Sequence, residues 1–136
     1  MLFTIGYERR SVDGLVADLH SRHVTRVLDV RELPLSRRRG FSKAALGDAL
    51  TRAGIEYVHL RDAGNPYRKL KHNIEACLAA YAAHLEDAPE IVELVFAAAQ
   101  GARTALLCVE HDAQLCHRSV LIRELQRALD LQVVDL

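Results

Sequence analysis

The chain has 136 residues, of which 50% are hydrophobic and 26% are charged. Its 18 basic side chains balance its 18 acidic ones, which argues against a globally basic nucleic-acid-binding protein. No apolar run reaches the ~20 residues that a membrane-spanning helix requires. These values predict a single globular domain over residues 1–136.

The first residues, Met-Leu-Phe-Thr-Ile-Gly, lack a basic segment and a long apolar segment, so we expect no signal peptide. Three cysteines in an unsecreted chain indicate reduced thiols and no disulfide framework. Cys77 lies on an apolar helical face and is expected in the core. Together these features predict a cytoplasmic protein.

Apolar runs alternate with amphipathic segments along the first half of the chain. They predict a strand, a helix, a strand, a helix and a strand, marked in that order by residues 2–5, 12–19, 26–30, 46–53 and 55–60. Ser11 and Ser42 precede the two helices and are typical N-caps. Gly54 is well placed to end the second helix.

The second half predicts two helices, a strand, a helix and a strand, marked by residues 74–85, 89–101, 104–109, 116–129 and 132–134. Pro89 suits the first position of its helix. The run 104–109 is the most continuous apolar segment, as expected of a buried central parallel strand. The alternation predicts an α/β domain of three layers, with a mainly parallel sheet of about five strands flanked by helices.

Polar residues follow the predicted strands where those strands end, among them Tyr7, Asp29 and Glu110. Ligands of open α/β sheets bind beyond the carboxyl ends of the strands. We therefore expect a ligand site at this edge of the sheet.

Asp29 and Arg31 are two residues apart at the end of the second strand. Side chains at this spacing point the same way if the strand continues. Arg31 could hold a phosphate or carboxylate while Asp29 orients it or binds a hydroxyl. An ion pair that closes the loop explains the same residues equally well.

Glu110 emerges from the buried fourth strand, where a carboxylate needs a partner or a chemical role. Cys116 lies at the predicted start of a helix, and His117 and Arg118 follow it. The helix dipole and these cations favour a thiolate, which makes Cys116 a candidate nucleophile. The same amides and cations could instead bind an anion without covalent chemistry.

Two more specific interpretations fit poorly. Cys116 and Arg118 are too close to bracket the anion-binding loop of a phosphatase or a rhodanese, and Cys108 and Arg118 are too far apart. Cys108, His111, Cys116 and His117 offer soft ligands within a short span, but they lack paired Cys-x2-Cys spacing, and the adjacent residues Cys116 and His117 would rarely bind one metal. We therefore predict no metal and no cofactor.

Basic residues concentrate in two segments, 31–43 and 61–71. They favour a small anionic ligand or a nucleic acid as partner, although solvated loops explain them equally well. Arg37 lies in an arginine run that could close over such a ligand. Phe41 and Tyr7 could stack on a base, but we favour a core position for Phe41.

Several short motifs occur together in a fixed order: Thr4-Ile5-Gly6-Tyr7-Glu8, Asp29-Val30-Arg31, Pro34-x-Ser36-Arg37, Phe41-Ser42, Gly54-Ile55-x-Tyr57, Leu107-Cys108-x-Glu110 and Cys116-His117-Arg118. In this pattern the chain resembles the prokaryotic family catalogued as domain of unknown function 488. The resemblance implies an α/β fold and a shared polar site, without implying a reaction. This chain has Arg9 where a glycine is common, and keeps only Gly64-Asn65 of a usual glycine pair.

Three functions remain open. The leading one is a hydrolase or transferase for a nucleotide or a nucleic-acid-derived anion, with Glu110 and Asp29 as catalytic groups. Its substrate-binding residues would be Tyr7, Arg31, Arg37, His117 and Arg118. The second is phosphate or sulfur transfer with Cys116 as the nucleophile, and the third is a non-catalytic binding module. The sequence predicts no oligomeric state.

Overall fold

The fold is known from a computed structural model that describes residues 1–129 and 131–136. In chain order the strands β1–β5 are Leu2–Gly6, Arg26–Asp29, Glu56–His59, Thr104–Cys108 and Val133–Asp135. The helices α1–α5 are Val12–Ser21, Lys43–Arg52, Ile74–Asp87, Glu90–Ala99 and Arg118–Ala128. The predicted strands and helices are confirmed, and their observed ends differ from the predicted ones by a few residues.

The five strands form one sheet in the order β3-β2-β4-β1-β5. Every neighbouring pair is parallel, so the predicted α/β class is confirmed. All five residues of β4 are buried, as its continuous apolar sequence indicated. The carboxyl ends of the three inner strands, β2, β4 and β1, therefore lie side by side at one edge of the sheet.

Two hydrophobic cores lie on opposite faces of the sheet. Alternate residues of β4 point to opposite faces, so Leu106 packs in one core and Leu107 in the other. The helices α3, α4 and α5 cover the Leu106 face, while α1 and α2 cover the Leu107 face. Among the described residues, none of the helices combines the length and the apolar character needed to cross a bilayer.

Glycine allows two close approaches of the backbone at the carboxyl edge. A Cβ on Gly6, at the end of β1, would lie 1.7 Å from the carbonyl oxygen of Glu110. A Cβ on Gly64, in the loop after β3, would lie 2.3 Å from the Cα of Glu32. Both glycines thus let neighbouring segments approach more closely than a side chain would permit.

Candidate functional site

A cavity of about 110 Å³ opens at the carboxyl edge of the sheet. The chain segments that follow β2, β3 and β4 form it together with the start of α3. Its polar and sulfur-bearing lining consists of Arg31, Glu32, Asn65, Arg68, Lys71, Cys77, Cys108, Glu110, Cys116 and His117. The cavity can hold a small chemical group, with any larger part of a ligand outside.

Glu110 lies in the cavity wall just after β4. Its Oε1 is 2.8 Å from Nζ of Lys71. Its Oε2 is buried and has no hydrogen-bond partner among the described residues. Burial lowers the pKa of Lys71, but the hydrogen bond and charge of Glu110 outweigh it, so the pKa is raised. Glu110 therefore offers one paired oxygen and one that is available to accept a proton.

Asp29 and Arg31 form a buried, bidentate ion pair. Nε and Nη2 of Arg31 donate to the two carboxylate oxygens at 2.9 and 2.7 Å. The backbone N–H of Arg31 and the hydroxyl of Tyr57 also donate to Asp29, at 3.1 and 2.6 Å. A carboxylate has about four acceptor positions, so these four bonds occupy Asp29 fully.

Arg31 is held by further contacts within the protein. Its Nη1 donates to the carbonyl of Phe41 at 2.7 Å, and its guanidinium lies 5.3 Å from the ring centre of Tyr7. Burial lowers the pKa of Arg31, but its hydrogen bonds and Coulomb interaction with Asp29 raise it overall. Arg31 thus lines the cavity, but its guanidinium binds Asp29 and the carbonyl of Phe41 and so holds the loop after β2 in place.

Phe41 and Tyr7 are both buried, and their rings stack with centroids 4.6 Å apart. The core position that the sequence favoured for Phe41 is confirmed. Tyr7 remains a predicted substrate-binding residue, although its ring already has this neighbour.

Cys108, Cys116 and His117 form a buried cluster, defined here as the thiol–imidazole cluster. Nδ1 of His117 lies 3.6 Å from Sγ of Cys116 and 3.9 Å from Sγ of Cys108. The three atoms all lie within 4.8 Å of one another. Nε2 of His117 is 2.8 Å from the carbonyl oxygen of Val30, and it must donate because a carbonyl only accepts.

Arg118 is fully buried beside this cluster. Its Nε donates to Sγ of Cys116 at 3.3 Å, and its Nη1 donates to Oγ1 of Thr4 at 2.6 Å. Its Nη2 donates to the carbonyl of Glu110. Arg118 therefore binds protein atoms from β1 and from the segment that joins β4 to α5.

The pKa values of the two thiols in the thiol–imidazole cluster are shifted in opposite directions. Burial raises the pKa of Cys116, but hydrogen bonds from Cys108 and His117 and the charges of His117 and Arg118 outweigh it and lower the pKa. The pKa of Cys108 is raised, first by its hydrogen bond to Cys116 and then by burial. The cluster therefore favours negative charge on Cys116.

The fold brings most of the predicted site residues together. Arg31, Glu110, Cys116 and His117 line the cavity, whereas Asp29, Tyr7 and Arg118 are buried behind its wall. Arg37 is exposed in the loop before α2 and does not belong to the cavity lining that the described residues form. The catalytic and binding roles of these residues stay predictions.

Sequence reasoning assigned no site role to Lys71, Arg68 or Asn65, which line the cavity. The basic segment 61–71 was the available signal, but its position along the chain does not reveal its distance from Glu110. Cys77 is buried, as predicted, and its Sγ accepts from Asn65 at 3.2 Å.

Residues 11–125 match the family described as "Domain of unknown function DUF488". The chain belongs to this family. No curated protein and no solved structure matches the chain. In this DUF488 chain, Arg9 has a left-handed backbone with φ of 65°, a conformation that glycine adopts without steric cost. That conformation gives the physical reason why a glycine suits this position.

Proposed function

We propose that this chain is a hydrolase or transferase for a small anionic substrate, such as a nucleotide or a nucleic-acid-derived anion, with Glu110 as general acid and base. The observation that carries the proposal is the buried Oε2 of Glu110, which has no partner among the described residues of a small cavity. Such a carboxylate can take a proton from water or from a substrate hydroxyl.

The proposed reaction needs no oxidant or reductant. Glu110 takes a proton from the attacking hydroxyl or water, whose oxygen forms a bond to an electrophilic phosphorus or carbon of the substrate. The bond to the leaving group breaks, and the leaving group takes the proton back from Glu110. Lys71 and Arg68, both at the cavity, would offset the negative charge of the substrate.

Asp29 and Arg118 would act as positioning residues in this proposal. Asp29 is fully occupied by Arg31 and Tyr57, and Arg118 holds the carbonyl of Glu110. A cytoplasmic location is also part of the proposal, because a reducing compartment would keep the three free cysteines reduced.

Turnover measured over a panel of nucleotides, nucleosides and phosphoesters tests this function. We expect Glu110→Gln to lower kcat by about 10²–10⁴-fold, the usual contribution of general acid–base catalysis. Glu56→Gln is the matched control, because Glu56 is an exposed, ion-paired glutamate at the start of β3. Undiminished turnover in Glu110→Gln would remove Glu110 from the mechanism.

The same panel separates catalysis from binding. Binding without turnover, lost when Arg37, Arg38 and Arg39 are neutralised and steeply weakened by salt, would favour a nucleic-acid-binding module instead.

A second candidate function uses Cys116 as the nucleophile of phosphate or sulfur transfer. It is favoured by the Nε–H of Arg118 and the Nδ1 of His117, which lie 3.3 and 3.6 Å from Sγ of Cys116. In phosphate transfer, Sγ would bond to phosphorus as the ester oxygen leaves with its electron pair and takes a proton from water. The oxygen of an acceptor hydroxyl or of water would then attack phosphorus and lose its proton to solvent, and the P–S bond would break with its electron pair returning to Sγ.

Methyl methanethiosulfonate, a small thiol-specific reagent, tests this second candidate at neutral pH in the presence of a chelator. We expect Cys116 to be modified faster than Cys77, which lines the same cavity but lies outside the thiol–imidazole cluster. Mass spectrometry of peptides would measure both rates. Equal rates, or a slower Cys116, would contradict the candidate.

A further inference from the structure

The thiol–imidazole cluster has the composition and the spacing of a metal site. We infer that Cys108, Cys116 and His117 bind a divalent transition-metal ion of the zinc class, with a fourth coordination position that faces the cavity. The proposed ligand atoms are the two Sγ atoms and Nδ1 of His117, which lie within 4.8 Å of one another. This inference goes beyond the proposed function and stands independently of it.

The separations of the ligand atoms fit tetrahedral coordination. With Zn–S near 2.3 Å and Zn–N near 2.0–2.1 Å, tetrahedral angles require S···N separations of about 3.6 Å and S···S separations of about 3.8 Å. The observed S···N separations are 3.6 and 3.9 Å, and the S···S separation lies within 4.8 Å. Small side-chain movements would therefore suffice to close the three atoms around one ion.

The backbone explains how two adjacent residues can share one ion, which their sequence spacing argued against. Cys116 is extended, with φ −125° and ψ 148°, whereas His117 is already helical, with φ −58° and ψ −18°. The chain turns between them, so both side chains converge. The parallel sheet adds Cys108 from the end of β4.

The groups around the cluster resemble the outer shell of known metal sites. A metal-bound histidine usually donates its other ring N–H to a carbonyl or carboxylate, and Nε2 of His117 donates to Val30. The N–H of Arg118 donates to Sγ of Cys116 and would orient that ligand. Nε2 of His117 is thus already bound to a carbonyl, and its Nδ1 points to the two thiols, where a metal would bind.

Burial also favours this assignment. All three cluster residues are buried, and metal binding displaces the protons of cysteine thiols. A divalent cation would compensate the charge of both thiolates that form on binding, which would otherwise be costly in a buried site.

Three protein ligands and an open position are typical of catalytic zinc, and structural zinc usually has four. The cavity lies against all three proposed ligands and also contains Glu110. A water bound at the open position would lose its proton more readily than bulk water. If the proposed function holds, that water is the nucleophile from which Glu110 takes a proton.

Cobalt(II) is the probe, because thiolate-to-cobalt charge transfer and tetrahedral ligand-field bands report its coordination directly. The full-length chain would be reduced, freed of metal with a chelator and titrated with cobalt, then with zinc. We expect one cobalt per chain, charge-transfer absorption, and displacement by zinc with loss of the colour. Zinc should also raise the unfolding temperature, since binding to the folded state stabilises it.

The variants Cys108→Ser, Cys116→Ser and His117→Ala each remove one ligand atom, and Cys77→Ser is the matched control. We expect Cys77→Ser to bind like the wild type. Affinity in the other three should fall by more than the ~10–100-fold that loss of an outer-shell partner costs.

Absence of cobalt binding by the folded wild type would overturn the proposal, whatever the variants do. Equal binding by Cys116→Ser and the wild type would overturn it too, since the ion would then be adventitious. Circular dichroism checks that each variant is folded, and a variant that unfolds is replaced by one of the other two. Turnover is not used, so failure of the proposed function leaves this result intact.

Discussion

Asp29→Asn is expected to lower the free energy of unfolding by about 3–5 kcal/mol, the usual cost of removing one partner of a buried ion pair. Asp29 is fully buried and Arg31 is 3% exposed. The substitution leaves the guanidinium of Arg31 buried with little compensating charge. Tyr57 also loses part of its acceptor, at present 2.6 Å away. Urea unfolding followed by circular dichroism measures the loss.

A double variant gives this prediction its control. Arg31→Met in the Asp29→Asn background removes the uncompensated charge, so it should recover part of the lost stability. The control for position is Glu56→Gln, which breaks an exposed ion pair with Arg26 and should cost at most about 1 kcal/mol. A loss below about 1 kcal/mol in Asp29→Asn would mean that the pair does not hold the loop after β2, since buried pairs cost about 3–5 kcal/mol to break.

The same variants bear on the chemistry. If Asp29 only positions the loop, the folded fraction of Asp29→Asn should keep its kcat and lose activity in proportion to unfolding. A fall in kcat in fully folded protein would instead support the catalytic role that the sequence suggested.

Gly6→Ala is expected to lower the free energy of unfolding by about 3 kcal/mol, at the upper end of the usual range for overpacking. The new Cβ would lie 1.7 Å from the carbonyl oxygen of Glu110, and this neighbour is backbone that cannot rotate away. The end of β1 would have to separate from the segment after β4. Because Arg118 donates to the same carbonyl, the displacement should also disturb Glu110.

Gly101→Ala is the matched control for this substitution. Gly101 has φ of 80° and open space around its Cα, so alanine there should cost only the left-handed strain of roughly 1–2 kcal/mol. Cobalt binding and turnover should change in Gly6→Ala and stay unchanged in Gly101→Ala. If Gly6→Ala lowered the free energy of unfolding no more than Gly101→Ala does, the close approach at the carboxyl edge would be contradicted.

Local patterns were sufficient to predict the fold class. Helical spacing of apolar residues, N-caps such as Ser11 and the continuous apolar run of β4 depend on neighbours along the chain. The side chain of Ser11 accepts from the N–H of Gly14, which is the contact that the pattern predicts. The order of the strands was not predictable, because pairing depends on which faces pack together in three dimensions.

The candidate site was predictable only in its location. Strand ends pointed to Asp29, Arg31 and Glu110 because parallel strands end at one edge. The pairing of Asp29 with Arg31 was one of the two interpretations that the sequence left open, but the partners from distant segments were not predictable. Lys71 reaches Glu110 from a loop 39 residues earlier in the chain, and its Nζ lies 2.8 Å from Oε1.

By itself, the sequence determined that this chain forms a parallel α/β sheet and carries acids, cations and thiols at the carboxyl edge. Hydrophobic periodicity depends only on neighbours along the chain, and parallel strands place the residues that follow them at one edge of the sheet. Only the tertiary structure decided which of these groups face each other. Lys71 pairs with Glu110, Tyr57 donates to Asp29, and Cys108 meets Cys116 and His117. Such contacts depend on distances between segments that the sequence does not encode locally.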